Sequence, residues 1–373
     1  MPDFIVSPSL CGQHANPRPE TKKPLEHDRW RIPKSRYASN STYISTDHRL
    51  RPEYLDPNLI IDEDIKAKLL DGGMDERLAT HFAHLFIRDP LVIFAEDLES
   101  LDLDKTDHFE NIQSTNWQHM RFKPPPADNS IGWRVEFRPM EIQITDFENA
   151  AFAVFIVLIT RAILSFDLNF YIPIVKVDEN MEAAHARDAV LDGKFHFRKN
   201  LFPARAPRSA GPSGANTPTP SRPATPVGPV EDEYRLMGIN EIINGTEYAR
   251  ASSSSPFETD ADHDADFPGL IPIVEAYLDS MNIDVATRCE LATYLDLIRR
   301  RASGELWTAA RWIRHFVATH PRYGKDSAVS ELVAHDLVGA VIAVGEREQK
   351  GCGFKGLGVN GLEKLLGEFR GGC

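Results

Sequence analysis

Apolar positions between Asp62 and Phe94 recur at helical spacing. Asp62 is placed to cap a first helix carrying Ile65, Leu69 and Leu70, which stops at Gly72-Gly73. A second helix from about Asp75 sets Leu78, Phe82, Leu85 and Phe86 along one side before Asp89-Pro90 ends it. Leu91–Phe94 opens a further short apolar element.

The period then changes. Trp133, Val135 and Phe137 alternate with Arg134, Glu136 and Arg138, the two-residue repeat of a half-buried strand. The apolar trio is expected to face the core and the charged residues the opposite side. Pro139 interrupts the ladder, and Met140, Ile142 and Ile144 resume the alternation. Thr145-Asp-Phe-Glu148 has the form of a capping box, so the strand leads into an apolar helix over Phe147–Leu164.

Further along, the pattern predicts a helix from about Asp178 to Leu191, ending at Gly193, and a short strand at Phe195–Arg198. Residues 204–230 are dominated by Pro, Ser, Thr, Ala and Gly and read as a linker. Leu236–Gly245 is read as a docked helix. Residues 231–344 form a helical region interrupted by a Ser-rich and acidic insertion at 248–266, expected to be disordered. Helical patterns cover Leu270–Met281, Val285–Ala302 and Glu305–His320. Residues 1–23 are a Pro-rich lead-in expected to be disordered, and the glycine-rich tail 345–373 is assigned no fold.

Composition narrows the class. A chain of 373 residues with 42% apolar and 26% charged residues has the profile of a soluble globular protein. Its net charge of −13 argues against nucleic acid or an anionic membrane as the main partner. Cys11, Cys289, Cys352 and Cys373 are widely spaced, the pattern of a reducing compartment, so a cytoplasmic location is expected. Ala150–Thr160, the most apolar stretch at about eleven residues, is shorter than the roughly 20 needed to span a bilayer.

The Arg134/Glu136/Arg138 face is the leading candidate for chemistry. A glutamate offers Mg²⁺ a hard oxygen ligand, and an arginine two residues away can bond a phosphate bidentately. A solvated strand face with surface ion pairs fits the same pattern. Arg121 and Lys123 flank Phe122 ahead of a triple proline, either as a basic wall over phosphates or as a plain surface turn. Trp117 is either a stacking platform for a base or a buried aromatic. The His81/His84 pair has helical spacing but no carboxylate to complete a metal site, and Cys289 reads as a structural thiol.

Several segments resemble eukaryotic glutamate–cysteine ligase. They are Arg31-Ile-Pro-Lys-Ser-Arg-Tyr37, His84-Leu-Phe-Ile-Arg-Asp-Pro90, Gln113-Ser-Thr-Asn-Trp-Gln118, Met120-Arg-Phe-Lys-Pro-Pro-Pro126, Gly132–Gln143 and Thr145-Asp-Phe-Glu-Asn-Ala-Ala151. Lys176-Val-Asp-Glu-Asn-Met181, Phe267-Pro-Gly-Leu-Ile-Pro272, Arg301-Ala-Ser-Gly-Glu-Leu306 and Ala310-Arg-Trp-Ile-Arg314 continue the likeness in order, from roughly Pro24 to roughly His335.

The resemblance implies an α+β fold, helix-rich, with part of an antiparallel glutamine-synthetase-like sheet and a helical C-terminal region. Residues 24–203 would then be the C-terminal part of the ligase catalytic domain. It implies ATP-dependent formation of γ-glutamylcysteine from glutamate and cysteine, the first step of glutathione synthesis, with Mg²⁺ bridging ATP and substrate. Glu136 is thereby expected as a metal ligand and Arg138 as a contact to ATP phosphates. Arg121, Lys123 and Trp117 stay open as candidates for nucleotide contacts beside them, and Arg36 and Tyr37 as candidates for substrate contacts. A modifier subunit or a full-length ligase is the implied protein partner. The family's full enzyme is longer, and the chain is expected to be a portion carrying about half of the site, with weak MgATP binding and little product on its own. The alternative is a truncated, non-catalytic copy acting as an interaction module.

Overall fold

The computed structural model describes residues 38–86, 99, 120–123, 125–126, 128–138, 140–202, 228–248, 266–349, 359 and 361–367, with backbone alone for 120–122 and 349. The lead-in, Leu91–Phe94, the linker through residue 227 and the insertion at 249–265 lie outside them. The described residues divide into two units, one built from residues up to Met140 together with Pro173–Glu182, the other from Glu141–Ile172 and the chain from Ala183 onward. Together they form an α+β fold.

In the first unit the predicted helix pair forms as α1 (Glu63–Asp71) and α2 (Glu76–Leu85). Asp62 accepts hydrogen bonds from the Asp64 and Ile65 amides, and Asp75 does the same for Arg77 and Leu78, so both first turns are satisfied by side chains. Gly73 takes φ 89°, the left-handed turn that lets α2 fold back on α1. Ala79, Phe82, Ala83 and Leu85 are buried, with Tyr54 from the preceding loop also fully enclosed.

His81 and His84 lie in this packed layer rather than on a metal-binding surface. The Nδ1 atom of His84 lies 2.6 Å from the Ile60 carbonyl, and that of His81 lies 3.2 Å from the Thr42 hydroxyl. Burial, and then the neighbouring His84, push the His81 pKa down from 6.5 to about 4. The native state therefore holds His81 neutral where the unfolded chain takes up a proton. Its contribution is complete above pH 6.5 and is lost as pH falls toward 4. Unfolding titrations in urea should show about 3 kcal/mol of loss over that window, at 1.4 kcal/mol per pKa unit, and His81→Gln should flatten the profile. An equally steep profile in the variant would assign the effect to other groups.

Strand β1 (Met120–Lys123) pairs antiparallel with β2 (Arg134–Phe137). The ladder stops at Phe137, so the alternation predicted to resume at Met140 and Ile142 runs in irregular chain instead.

The second unit is organised by α3 (Asp146–Phe166). The Thr145 hydroxyl accepts from the Glu148 amide while the Glu148 carboxylate accepts from the Thr145 amide, completing the expected capping box. The Asp146 and Phe147 amides donate to Glu348, at 2.8 and 2.7 Å. At 21 residues α3 is long and apolar enough to cross a membrane, beyond the eleven-residue estimate from sequence. Ala151, Phe155, Leu158, Ile159 and Ala162 are buried on it, against a core shared with later helices.

Helix α4 (Ile174–Ala184) and the single turn α5 (Ala189–Asp192) replace the one helix expected to Leu191. Asp188 takes φ 54° and breaks them apart. Strand β3 (Lys194–Arg198) pairs antiparallel with β4 (Tyr234–Gly238), and α6 (Ile239–Asn244) begins only after that strand. The docked helix expected over Leu236–Gly245 is thus confined to Ile239–Asn244, its first three residues being strand. Leu236 and Met237 have ladder partners, His196 and Phe195, far back in the chain that no local pattern reveals.

The two low-complexity stretches leave from fixed points. The β3–β4 ladder, extended by the Lys199 amide to the Glu233 carbonyl, joins the chain on either side of the linker. Around the insertion, the Thr246 amide bonds the Phe267 carbonyl, and the Phe267 amide bonds the Thr246 hydroxyl. There Gly269, at φ 89°, brings its Cα so near Gly245 that an added Cβ would lie 2.4 Å from the Gly245 amide nitrogen.

Helices α7 (Leu270–Asp279) and α8 (Val285–Ala302) pack on α3 and α6. Helix α9 (Ala309–Thr319) starts at a Thr308 cap rather than at Glu305, and it packs on α10 (Glu331–Gln349) and α11 (Leu362–Leu366). The helical region read to residue 344 thus runs on to Gln349, and α11 lies in the tail that carries no sequence pattern. Helices α10 and α11 enclose Trp312 with Ala340, Val344, Leu362 and Leu365 in a second core.

Candidate functional site

The β1–β2 register sets Met120 opposite Phe137, Arg121 opposite Glu136, Phe122 opposite Val135 and Lys123 opposite Arg134. Opposed residues share a face of an antiparallel pair. One ladder therefore brings the positions of Arg121, Lys123, Arg134 and Glu136 to the same side, with Arg138 following by alternation. Arg121 and Lys123 are part of a strand, not a surface turn. The sequence shows two alternating segments, Met120-Arg-Phe-Lys and Arg134-Val-Glu-Phe, with Pro and Asn between them, but not their pairing or register.

Arg138 donates from Nη2 to Glu136 Oε1 at 2.8 Å, and both side chains are partly open to solvent. An ion pair so exposed contributes about 0–1 kcal/mol. Either partner can exchange the other for a stronger ligand at little cost. Among the described residues no cluster of three His, Cys, Asp or Glu side chains is arranged to hold a metal. The face carries one carboxylate among four basic positions. Such a donor set fits a Mg²⁺ ion bound through one carboxylate with phosphate oxygens and water completing its shell, not an all-protein cage.

The faces are covered the opposite way from the sequence expectation. Arg134 and Glu136 are half-buried, whereas Trp133, Val135 and Phe137 are 44%, 62% and 51% exposed. Alternation separates the two faces of a strand but cannot tell which one meets a packing layer. Here the apolar side has only partial cover, including Phe82, whose ring centroid lies 6.3 Å from that of Trp133. Trp117, Arg36 and Tyr37 lie outside the described residues, as does the Arg121 side chain. Cys289 is half-buried on α8.

The hairpin falls within a longer likeness. A family model described as glutamate–cysteine ligase matches residues 13–344. The chain belongs to the glutamate–cysteine ligase family. It is 75% identical over 358 residues to a glutamate–cysteine ligase of Neurospora crassa, covering 93% of this chain and 49% of that protein. It is 49% identical over 316 residues to the glutamate–cysteine ligase catalytic subunit of Mus musculus, covering 85% of this chain and 45% of that one. With the glutamate–cysteine ligase of Saccharomyces cerevisiae it shares 37% identity over 350 residues, 89% of this chain and 46% of that protein. The chain spans about half the length of the curated relatives it matches. The ligase match extends beyond the Pro24–His335 span of the resembling segments at both ends, and its end at Val344 falls inside α10.

Proposed function

We propose that this chain supplies the phosphate-binding and metal-binding strand of a glutamate–cysteine ligase, working in the cytoplasm on glutamate, cysteine and MgATP. The observation that carries the reading is the β1–β2 register, which sets Arg121, Lys123, Arg134 and Glu136 on one side of a ladder inside the family match, with Arg138 just past its end and paired to Glu136. Glu136 offers a carboxylate to Mg²⁺. Arg138, 2.8 Å from that carboxylate, is placed to turn to a phosphate oxygen once a cation takes up the charge of Glu136. Lys123 and the arginines neutralise the remaining phosphate charge, the positioning and electrostatic work that phosphoryl transfer needs from a protein. Bound MgATP supplies the phosphoryl group that activates a carboxylate toward an amine. Trp117, Arg36 and Tyr37 are proposed to complete the contacts to base and substrate.

Glu136→Ala and Arg138→Ala should each weaken MgATP binding to the purified chain by roughly 10- to 100-fold, the scale of one charge-assisted interaction. Titration calorimetry with MgATP reads the effect. Unchanged affinity in both variants would remove the strand from the nucleotide site.

A second reading is supported by the exposed Trp133, Val135 and Phe137. In it the chain is a non-catalytic copy that docks on a modifier subunit or a full-length ligase. Under that reading Glu136→Ala leaves partner binding intact and nucleotide has no effect, so the same variant separates the two.

A further inference from the structure

On the α9 side of the second unit, three arginines converge on one carboxylate. Arg311 Nε and Arg314 Nη2 lie 3.9 and 3.7 Å from Asp188 Oδ1, and Arg187 Nε lies 3.7 Å from Asp188 Oδ2. All three separations exceed hydrogen-bonding distance, so Asp188 balances charge without holding any of the three firmly. No other described carboxylate stands within ion-pair distance of these guanidinium groups. The cluster therefore carries two positive charges in excess on a chain whose net charge is −13.

The placement is built by the fold. Arg311 and Arg314 stand one turn apart on α9, whose first turn is fixed by the Thr308 hydroxyl bonding the Arg311 amide. Asp188 occupies the left-handed position before α5, where its side chain makes no cap hydrogen bond, leaving its carboxylate to the arginines. Trp307 lies under the Arg311 guanidinium at 5.2 Å, and His315 packs against the edge of that indole at 4.8 Å. This stacking restricts Arg311 before any ligand arrives, which lowers the ordering cost of binding.

We propose that Arg187, Arg311 and Arg314 form a binding site for a small phosphate-bearing anion. Three guanidinium groups around one carboxylate offer more donors than its two oxygens can use, and the three terminal oxygens of a phosphate suit them better. Asp188 is the internal competitor that the phosphate outbids. The site does not rest on the ligase reading, since neither ATP nor metal enters it.

Calorimetric titration of the whole chain with inorganic phosphate, at fixed ionic strength and without Mg²⁺ or nucleotide, tests the proposal. AMP and succinate serve as parallel probes, the first to show whether a phosphate monoester is accepted, the second a dicarboxylate. Saturable phosphate binding should weaken at least tenfold in an Arg311→Gln/Arg314→Gln double variant and persist in Arg138→Ala. Asp188→Asn should tighten it by roughly three- to tenfold, the effect of removing one charge about 4 Å away near a surface. Melting curves establish that the variants fold, and Asp188→Asn alone decides the matter if the double variant does not. No saturable binding, equal affinity for succinate, or affinity indifferent to Asp188→Asn would each overturn the site. AMP binding with the same dependence on these residues would identify a phosphate monoester as the ligand type, and its failure beside phosphate binding would restrict the site to the free ion.

Discussion

Replacing Glu148 by Ala should destabilise the chain by about 3–5 kcal/mol, because it leaves the guanidinium of Arg301 buried without its counter-charge. Glu148 is fully buried and Arg301 is 5% exposed. One oxygen of Glu148 accepts from Arg301 Nη2 and the other from the Thr145 amide and hydroxyl, both at 3.0 Å. Arg301 also donates to the Leu365 carbonyl at 3.1 Å, so one pair ties the start of α3 to the end of α8 and to α11. Burial pulls the Arg301 pKa below its ordinary value, and the Glu148 charge pulls it back up. A Glu148→Gln/Arg301→Met chain should recover most of the loss, since removing both charges also removes the desolvation cost. Urea unfolding of the single and double variants measures this. A single variant within 1 kcal/mol of the parent would mean that water reaches the pair.

Trp312→Ala should cost about 3–5 kcal/mol, the usual range for emptying a large aromatic site in a core. The indole is fully buried among Ala340, Val344, Leu362 and Leu365, which come from α10 and α11. Among the described residues its Nε1 has no hydrogen-bond partner. Trp312→Phe should therefore cost much less than Ala, since only volume is lost and no polar partner is stranded. The Ala variant should also raise hydrogen exchange along α10 and α11, whose packing depends on that ring. Equal losses for Phe and Ala would show that the indole nitrogen has a partner after all.

Much of the helical architecture was legible because its signals are local. Asp62, Asp75, Thr145 and Asp284 each accept a hydrogen bond from the first turn that follows, and α8 has the bounds its pattern predicts. Caps and periodicity act over one or two turns, which is the range a sequence displays directly. Helix α10 has no separate sequence signature because Gly339 and Gly345 weaken its propensity, and it forms where Ala340 and Val344 reach the Trp312 core. Strand β4 lacks one for a related reason, since only pairing with β3 across the linker turns Leu236 and Met237 away from helix.

The candidate site divides along the same line. The sequence by itself determined that Arg134 and Glu136 share one side of a strand, because successive side chains on an extended chain must point to opposite faces. It also determined the ligase family, through matches spread over residues 13–344. Only the tertiary structure decided that β1 pairs with β2, which sets Arg121 and Lys123 opposite Glu136 and Arg134. It alone decided that the charged side is the better covered one while Val135 and Phe137 stand open. A two-residue period fixes the difference between faces. Which face is enclosed depends on partners far away in the chain, and no local pattern encodes them.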